Sequence, residues 1–171
     1  MMLKIVKYPA PVLLKPGEPV TEFNSDLRKL VDDMFETMYA DQGIGLAAPQ
    51  VAVSKRLIVI DLSMGKDPKE KIVLINPEII SHEGKIYEEE GCLSFPDIRE
   101  KVQRHAKVRV RAQNAKGEWF EMDGLDLLSR CFQHEIDHVD GVVFTERMTS
   151  LKRSMCMRRI RKMQREGSWD D

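Results

Sequence analysis

Residues 134–138 read His-Glu-Ile-Asp-His, and this spacing constrains the fold more than any other stretch of the 171-residue chain. Residues four apart lie one above the other on an α-helix, so a helix here aims both imidazoles at one point, where they can share a metal ion. Glu135 sits beside the first histidine, within reach of water held by that ion. Leu127, Leu128, Cys131 and Phe132 support the helical reading: His134 and His138 continue the Leu127–Cys131 stripe at i+7 and i+11. The pattern predicts a helix over residues 124–140, capped by Asp123 and ended by Gly141, with both histidines on its core side.

A catalytic metal needs a third protein ligand, leaving its fourth position to water. Carboxylates, His82, His105 and the cysteines are all open to that role. Cys92 stands out, because it follows Gly91 in a predicted loop after the acidic run Glu88-Glu89-Glu90. A lone cysteine is otherwise a small apolar core residue. The three cysteines, Cys92, Cys131 and Cys156, are few, odd in number and far apart, which argues against a disulfide framework and for a reducing cytoplasm.

Around this motif the chain reads as α+β, with mostly antiparallel strands around a central metal-binding helix and a further helix near each end. Pro9, Pro11, Pro16 and Pro19 make residues 1–24 an irregular arm. Leu27, Leu30, Val31, Met34, Phe35, Met38 and Tyr39 form one helical face, with Asn24 or Ser25 as its cap and Gly43 as its stop. A glycine-rich loop follows at 43–50. Strands are predicted over 56–61, 71–76, 78–87, 107–113 and 119–122, with turns at Asn76-Pro77, Glu83-Gly84 and Lys116-Gly117 and a loop around 91–96. A last helix is predicted from Ser150 to Arg165. The whole, 1–171, is expected to be one domain.

The formal net charge is −1, which disfavours a uniformly basic nucleic-acid binder. That sum hides a split. Met148–Asp171 has seven basic against three acidic residues, +4, while the remainder has 20 against 25, −5. No apolar run has the roughly 18 residues of a membrane span, and the start lacks a signal-peptide core.

Three segments occur in order: Gly43-Ile44-Gly45-Leu46-Ala47-Ala48-Pro49-Gln50, Glu90-Gly91-Cys92-Leu93-Ser94 and Gln133-His134-Glu135-Ile136-Asp137-His138. Together they resemble the three signature motifs of bacterial peptide deformylases, and the length and basic C-terminal helix look like that family too. The resemblance implies removal of the formyl group from the N-terminal methionine of new polypeptides. It implies Cys92, His134 and His138 as ligands of one divalent ion, Fe²⁺, with Zn²⁺ or Ni²⁺ in its place in isolated protein. It implies Glu135 as the proton acceptor, and the Gln50 side chain and Leu93 backbone N–H as donors to the developing oxyanion. Arg99 matches an arginine that follows the cysteine loop in the family and is carried over as a substrate contact.

Ile44, Leu127, Cys131 and the stem of His134 are expected to wall the methionine pocket. Gly45 is expected to let the substrate backbone pair closely in an extended form. Phe95 stands where the family more often has a smaller aliphatic residue, and is expected at the rim of the cleft. The implied partners are formylmethionyl nascent chains and, through residues 148–171, the ribosome; no membrane partner is expected, and the chain is expected to be monomeric. Two rivals use the same histidines. One is a zinc metallopeptidase with a carboxylate or histidine as third ligand. The other is a binding module with a closed four-ligand metal site.

Overall fold

The computed structural model describes residues 1–169; Asp170 and Asp171, two of the acidic residues counted in the tail, lie outside the described residues. Helix α1 (Ser25–Ala40) forms where the apolar spacing places it, and the Asn24 side chain caps it by accepting from the Leu27 N–H at 3.0 Å. The left-handed residue that ends it is Gln42, at φ +57°, rather than Gly43. The next segment is more regular than the predicted glycine-rich loop. It forms strand β1 (Gly45–Ala47) and then a 3₁₀ turn, Ala48–Val51.

Strands β2 (Leu57–Ile60), β3 (Ile72–Glu83), β6 (Lys107–Gln113) and β7 (Trp119–Leu125) complete a five-stranded antiparallel sheet in the order β1-β2-β3-β6-β7. Strands β4 (Ile86–Cys92) and β5 (Phe95–Arg104) pair separately. Two predicted boundaries are corrected here. Asn76-Pro77 is a bulge inside β3, with Asn76 at φ +51° and the register shifting between Ile75 and Glu78. The predicted 91–96 loop shrinks to the few residues between β4 and β5, because β5 begins at Phe95.

Helix α2 (Leu127–Val139) starts later than predicted. Gly124 and Leu125 stay in β7, paired with Val108 and Lys107, so Asp123 is not its cap. Asp126, at φ +51°, occupies the cap position without a side-chain cap bond. Gly141, at φ +80°, closes the other end as expected. Helix α3 (Ser150–Arg165) has the predicted bounds, with Thr149 capping it through the Lys152 N–H.

Strand β2 shows how the core is built. All four of its residues are fully buried. Leu57 and Val59 join Val31, Met34 and Met38 of α1, while Ile58 and Ile60 join Phe132, Ile136 and Val139 of α2. Side chains alternate across a strand, so the sheet carries α1 on one face and α2 on the other. Each such aliphatic chain contributes about 1.5–3 kcal/mol by burial. A third cluster joins β5, α3 and the N-terminal arm through Leu13, Phe95, Ile98, Cys156, Ile160 and Trp169. Among the described residues, no helix is long and apolar enough to cross a membrane.

Candidate metal centre

Helix α2 brings its two histidines to the end of β4. The donor atoms of Cys92, His134 and His138 lie within 4.8 Å of one another, with Cys92 Sγ 3.4 Å from His138 Nε2. His82 and His105, open as ligands in the sequence, instead stack on each other at 3.9 Å between ring centroids. A thiolate and two imidazoles are a donor set suited to a transition-metal ion, so the residues present fit one.

The buried polar atoms point the same way. The Glu135 carboxyl is 4% exposed, and its Oε2 has no hydrogen-bond partner. Burial raises its pKa to about 7, and Glu90 adds to the rise, while His134 opposes it. Burial likewise keeps His138 neutral, aided by the charges of His134 and Arg104, as a metal donor must be. At His134 burial acts in the same direction, but hydrogen bonds with Cys92 and Glu90 outweigh it and raise the pKa.

Glu90 is a functional residue that the motif spacing did not single out. Its Oε1 meets His134 Nδ1 at 2.8 Å and so turns the other ring nitrogen toward the ligand cluster. Burial alone would raise the Glu90 pKa; hydrogen bonds from Arg104 and His134 overcome this and hold it well below the usual carboxylate range. Arg104 binds it through Nε (2.7 Å) and Nη2 (3.0 Å), and Arg130 through Nη1 (2.7 Å). Arg104 Nη1 also reaches Asp137, which Arg147 grips from the far side. The signal available in the sequence was the third glutamate of an acidic run, two residues before Cys92.

Gln50 is 1% exposed and held in one orientation. Its Oε1 accepts from the Ala47 N–H at 3.0 Å. Its Nε2 therefore faces the cysteine segment, 3.2 Å from Ser94 Oγ and 3.7 Å from Cys92 Sγ. The irregular arm secures both pieces, since Val6 N–H donates to Gln50 O and Tyr8 N–H to Ser94 O. On the other flank the Tyr39 hydroxyl donates to Asp61 at 2.5 Å, and Asp61 N–H holds Ile44 O at the head of β1.

A cleft of about 930 Å³ opens over these groups. Ile44, Gly45, Gln50, Leu93, Arg99, Leu127 and Cys131, all singled out in the sequence, line it together with Cys92, His134 and Glu135. Leu127 is half exposed at the mouth and Cys131 is buried deeper. Gly45 has a second reason to lack a side chain, namely how closely β1 approaches α2. A Cβ there would lie 2.9 Å from Cys131 Sγ and 3.1 Å from Glu135 Cγ. Phe95 lines the cleft as expected, but with almost none of its ring free. It is 1% exposed, and its ring packs on Tyr8, Phe144 and Trp169 at 4.9–6.2 Å, because α3 folds back over β5.

Comparison with known proteins agrees with this geometry. The polypeptide deformylase family model matches residues 2–154. The chain is 70% identical to a peptide deformylase of Acidobacterium capsulatum over 99% of both chains. It is 47% identical to one of Thermodesulfovibrio yellowstonii over 94% of this chain and 97% of that one. A crystal structure of a peptide deformylase from Legionella pneumophila superposes with a TM-score of 0.91 at 44% identity, covering all of both chains.

Proposed function

The chain belongs to the polypeptide deformylase family, metal-dependent hydrolases that remove the N-formyl group from nascent peptides, and on that premise we propose how its residues divide the work. The observation that carries the assignment is the meeting of Cys92, His134 and His138 beside a buried, unpartnered Glu135 carboxyl in the wall of a cleft. Cys92, His134 and His138 would hold the ion. When bound, a divalent ion supplies Lewis acidity, which makes water a nucleophile near neutral pH.

Glu135 takes the proton from the attacking water and returns it to the departing amine. A carboxyl with a pKa of about 7 is suited to both transfers at neutral pH. Gln50 Nε2, fixed by the Ala47 N–H, and the Leu93 backbone N–H donate to the formyl oxygen as it gains charge. Ile44, Leu127, Cys131 and the His134 stem enclose the methionine side chain. In the tight metal pocket the small formyl hydrogen fits, where the larger acetyl methyl would overlap its walls. Extended substrate lies along β1, an edge strand of its sheet with a free pairing side. Arg99 stands at the downstream rim.

The physiological ion is Fe²⁺, with Zn²⁺ or Ni²⁺ as substitutes in isolated protein. Residues 1–171 act as one cytoplasmic, monomeric catalytic domain. The basic face of α3 docks on ribosomal RNA phosphates.

Formate release from formyl-Met-Ala-Ser tests the assignment. Wild type should release it. Glu135→Ala should lose about 10²–10⁴-fold in kcat, while keeping stoichiometric metal by elemental analysis. Cys92→Ala should lose metal and activity together. Gln50→Ala should lose about 10²–10³-fold in kcat. An active Glu135→Ala variant would overturn the assignment. Metal content after anaerobic purification tests the iron: fully active protein holding zinc alone overturns it.

A further inference from the structure

The two segments that carry the oxyanion donors are held from outside by a residue that lies in none of the three motifs. Helix α3 ends on Gly167, at φ +73°. The Gly167 N–H donates to Gln164 O at 3.2 Å and the Ser168 N–H to Met163 O at 2.9 Å. This pair of bonds is a Schellman stop, which favours glycine at its left-handed position and turns the chain off the helix axis. The turn carries Trp169 inward. It is 0% exposed, although the four residues before it are exposed.

The indole meets the Phe95 ring edge-on at 6.2 Å between centroids, and Phe95 in turn stacks on Tyr8 at 4.9 Å. Two hydrogen bonds then run in opposite directions between Trp169 and the N-terminal arm. Trp169 Nε1 donates to Tyr8 O at 2.7 Å, and Lys7 Nζ donates to Trp169 O at 2.8 Å. A buried indole N–H needs an acceptor, so the burial of this ring and its grip on Tyr8 come together.

The grip matters because of what the arm holds. Tyr8 N–H donates to Ser94 O at 3.0 Å, and Val6 N–H to Gln50 O at 2.8 Å. Tyr8 thus accepts from the indole through its carbonyl and donates to the cysteine segment through its N–H. The arm bridges the segment of Gln50 and the segment of Leu93, which also meet where Gln50 Nε2 lies 3.2 Å from Ser94 Oγ.

We propose that Trp169 is a positioning residue for deformylation: by locking Tyr8 it fixes the spacing of the Gln50 and Leu93 donors. It touches no reacting atom. The proposal rests on the deformylase assignment. A misplacement of about 1 Å at a reacting centre costs about 10²-fold in rate, so a clip remote from the chemistry has leverage on turnover. Donors to a developing oxyanion act in the transition state rather than on bound substrate, so the loss should fall on kcat and leave KM unchanged.

The test measures formyl-Met-Ala-Ser turnover per bound metal ion, below the unfolding temperature of each variant. Trp169→Ala should lower kcat about 10–10²-fold, with KM unchanged and metal stoichiometric. Trp169→Phe, which keeps an aromatic ring but has no N–H, should lie between it and wild type. If Trp169→Ala does not fold, Trp169→Phe decides by the same criteria. In a Gln50→Ala background the kcat loss caused by Trp169→Phe should shrink, because one of the two donors it positions is gone. Amide hydrogen exchange of the metal-loaded protein reads the clip without turnover. Trp169→Phe should speed exchange at Val6 and Tyr8 by at least about fivefold, the scale of one lost hydrogen bond, and leave the amides of β2 unchanged. An unchanged kcat in Trp169→Phe would overturn the proposal. So would a loss of equal size with and without Gln50, a loss that falls on KM, one that follows lost metal, or unchanged exchange at Val6 and Tyr8. Formate release by wild type separates the two ideas: its absence defeats the deformylase assignment itself, whereas its presence with an unaffected Trp169→Phe defeats the clip alone.

Discussion

Helices α2 and α3 are both rich in polar residues, and the fold treats them oppositely. Eleven of the 13 residues of α2 are buried, among them Arg130, Gln133, His134, Glu135, Asp137 and His138. Only Cys156 and Ile160 of the 16 in α3 are. Inside, apart from the Glu135 carboxyl at the site, the charges have short, fixed partners: Glu90 with Arg104 and Arg130, and Asp137 with Arg104 and Arg147. Outside, the arginines of α3 face solvent and are screened. A buried charge without its partner is costly, so α2 cannot vary one member at a time. A solvated charge costs little to change, so α3 is free to serve binding rather than folding.

The sharpest way to break this contrast is to remove one buried partner. Arg104→Met removes a buried cation shared by Glu90 and Asp137, leaving Arg130 and Arg147 as their remaining arginine partners, and should cost about 3–5 kcal/mol of unfolding free energy. Chemical denaturation of the metal-loaded protein measures it. A loss below about 1 kcal/mol would mean that the network behaves like a surface one. The next effect belongs to α3. If apolar contact rather than charge seats it, Ile160→Ala should cost about 2–5 kcal/mol, with formyl-Met-Ala-Ser turnover retained at temperatures below unfolding. A neutral result would refute the seating.

The smallest effect is electrostatic. Lys152 of α3 lies 3.2 Å from Glu100. The Glu100 pKa is lowered, chiefly by the Lys101 backbone N–H, against some burial and with help from Lys152. A depressed carboxylate pKa stabilises the fold above its ordinary value of 4.5, and that contribution is lost as pH falls through the folded value. The melting-temperature difference between wild type and Lys152→Ala should therefore be small at pH 7 and shrink below pH 4.5. A difference that grew in acid would show that Lys152 acts otherwise.

The parts that were legible in the sequence are those with local causes. The α1 face, the Asn24 cap, the bounds of α3 and the β6–β7 hairpin each depend on residues within a few positions. The boundaries that moved had distant causes. Gly124 and Leu125 read as the start of a helix until their ladder partners Val108 and Lys107 kept them in β7. The residues around Pro96 read as loop because their partner β4, Ile86–Cys92, is predicted as strand only as far as Tyr87. Phe95 lines the cleft as expected, but nothing local shows that α3 and Trp169 fold back over it.

The site divides the same way. The sequence by itself determined the chemistry: two imidazoles one helical turn apart, a carboxylate beside the first, and a thiol and an amide in recognisable segments. A helical repeat is a property of consecutive residues, so the spacing alone was enough to aim His134 and His138 together. Only the tertiary structure brought Cys92, rather than His82 or His105, beside the two imidazoles, and Glu90 against His134. It also showed that Gly45 must be bare because β1 approaches Glu135 closely. Those are contacts between residues tens of positions apart. Packing creates them, and no local pattern of side chains encodes which distant surfaces will meet.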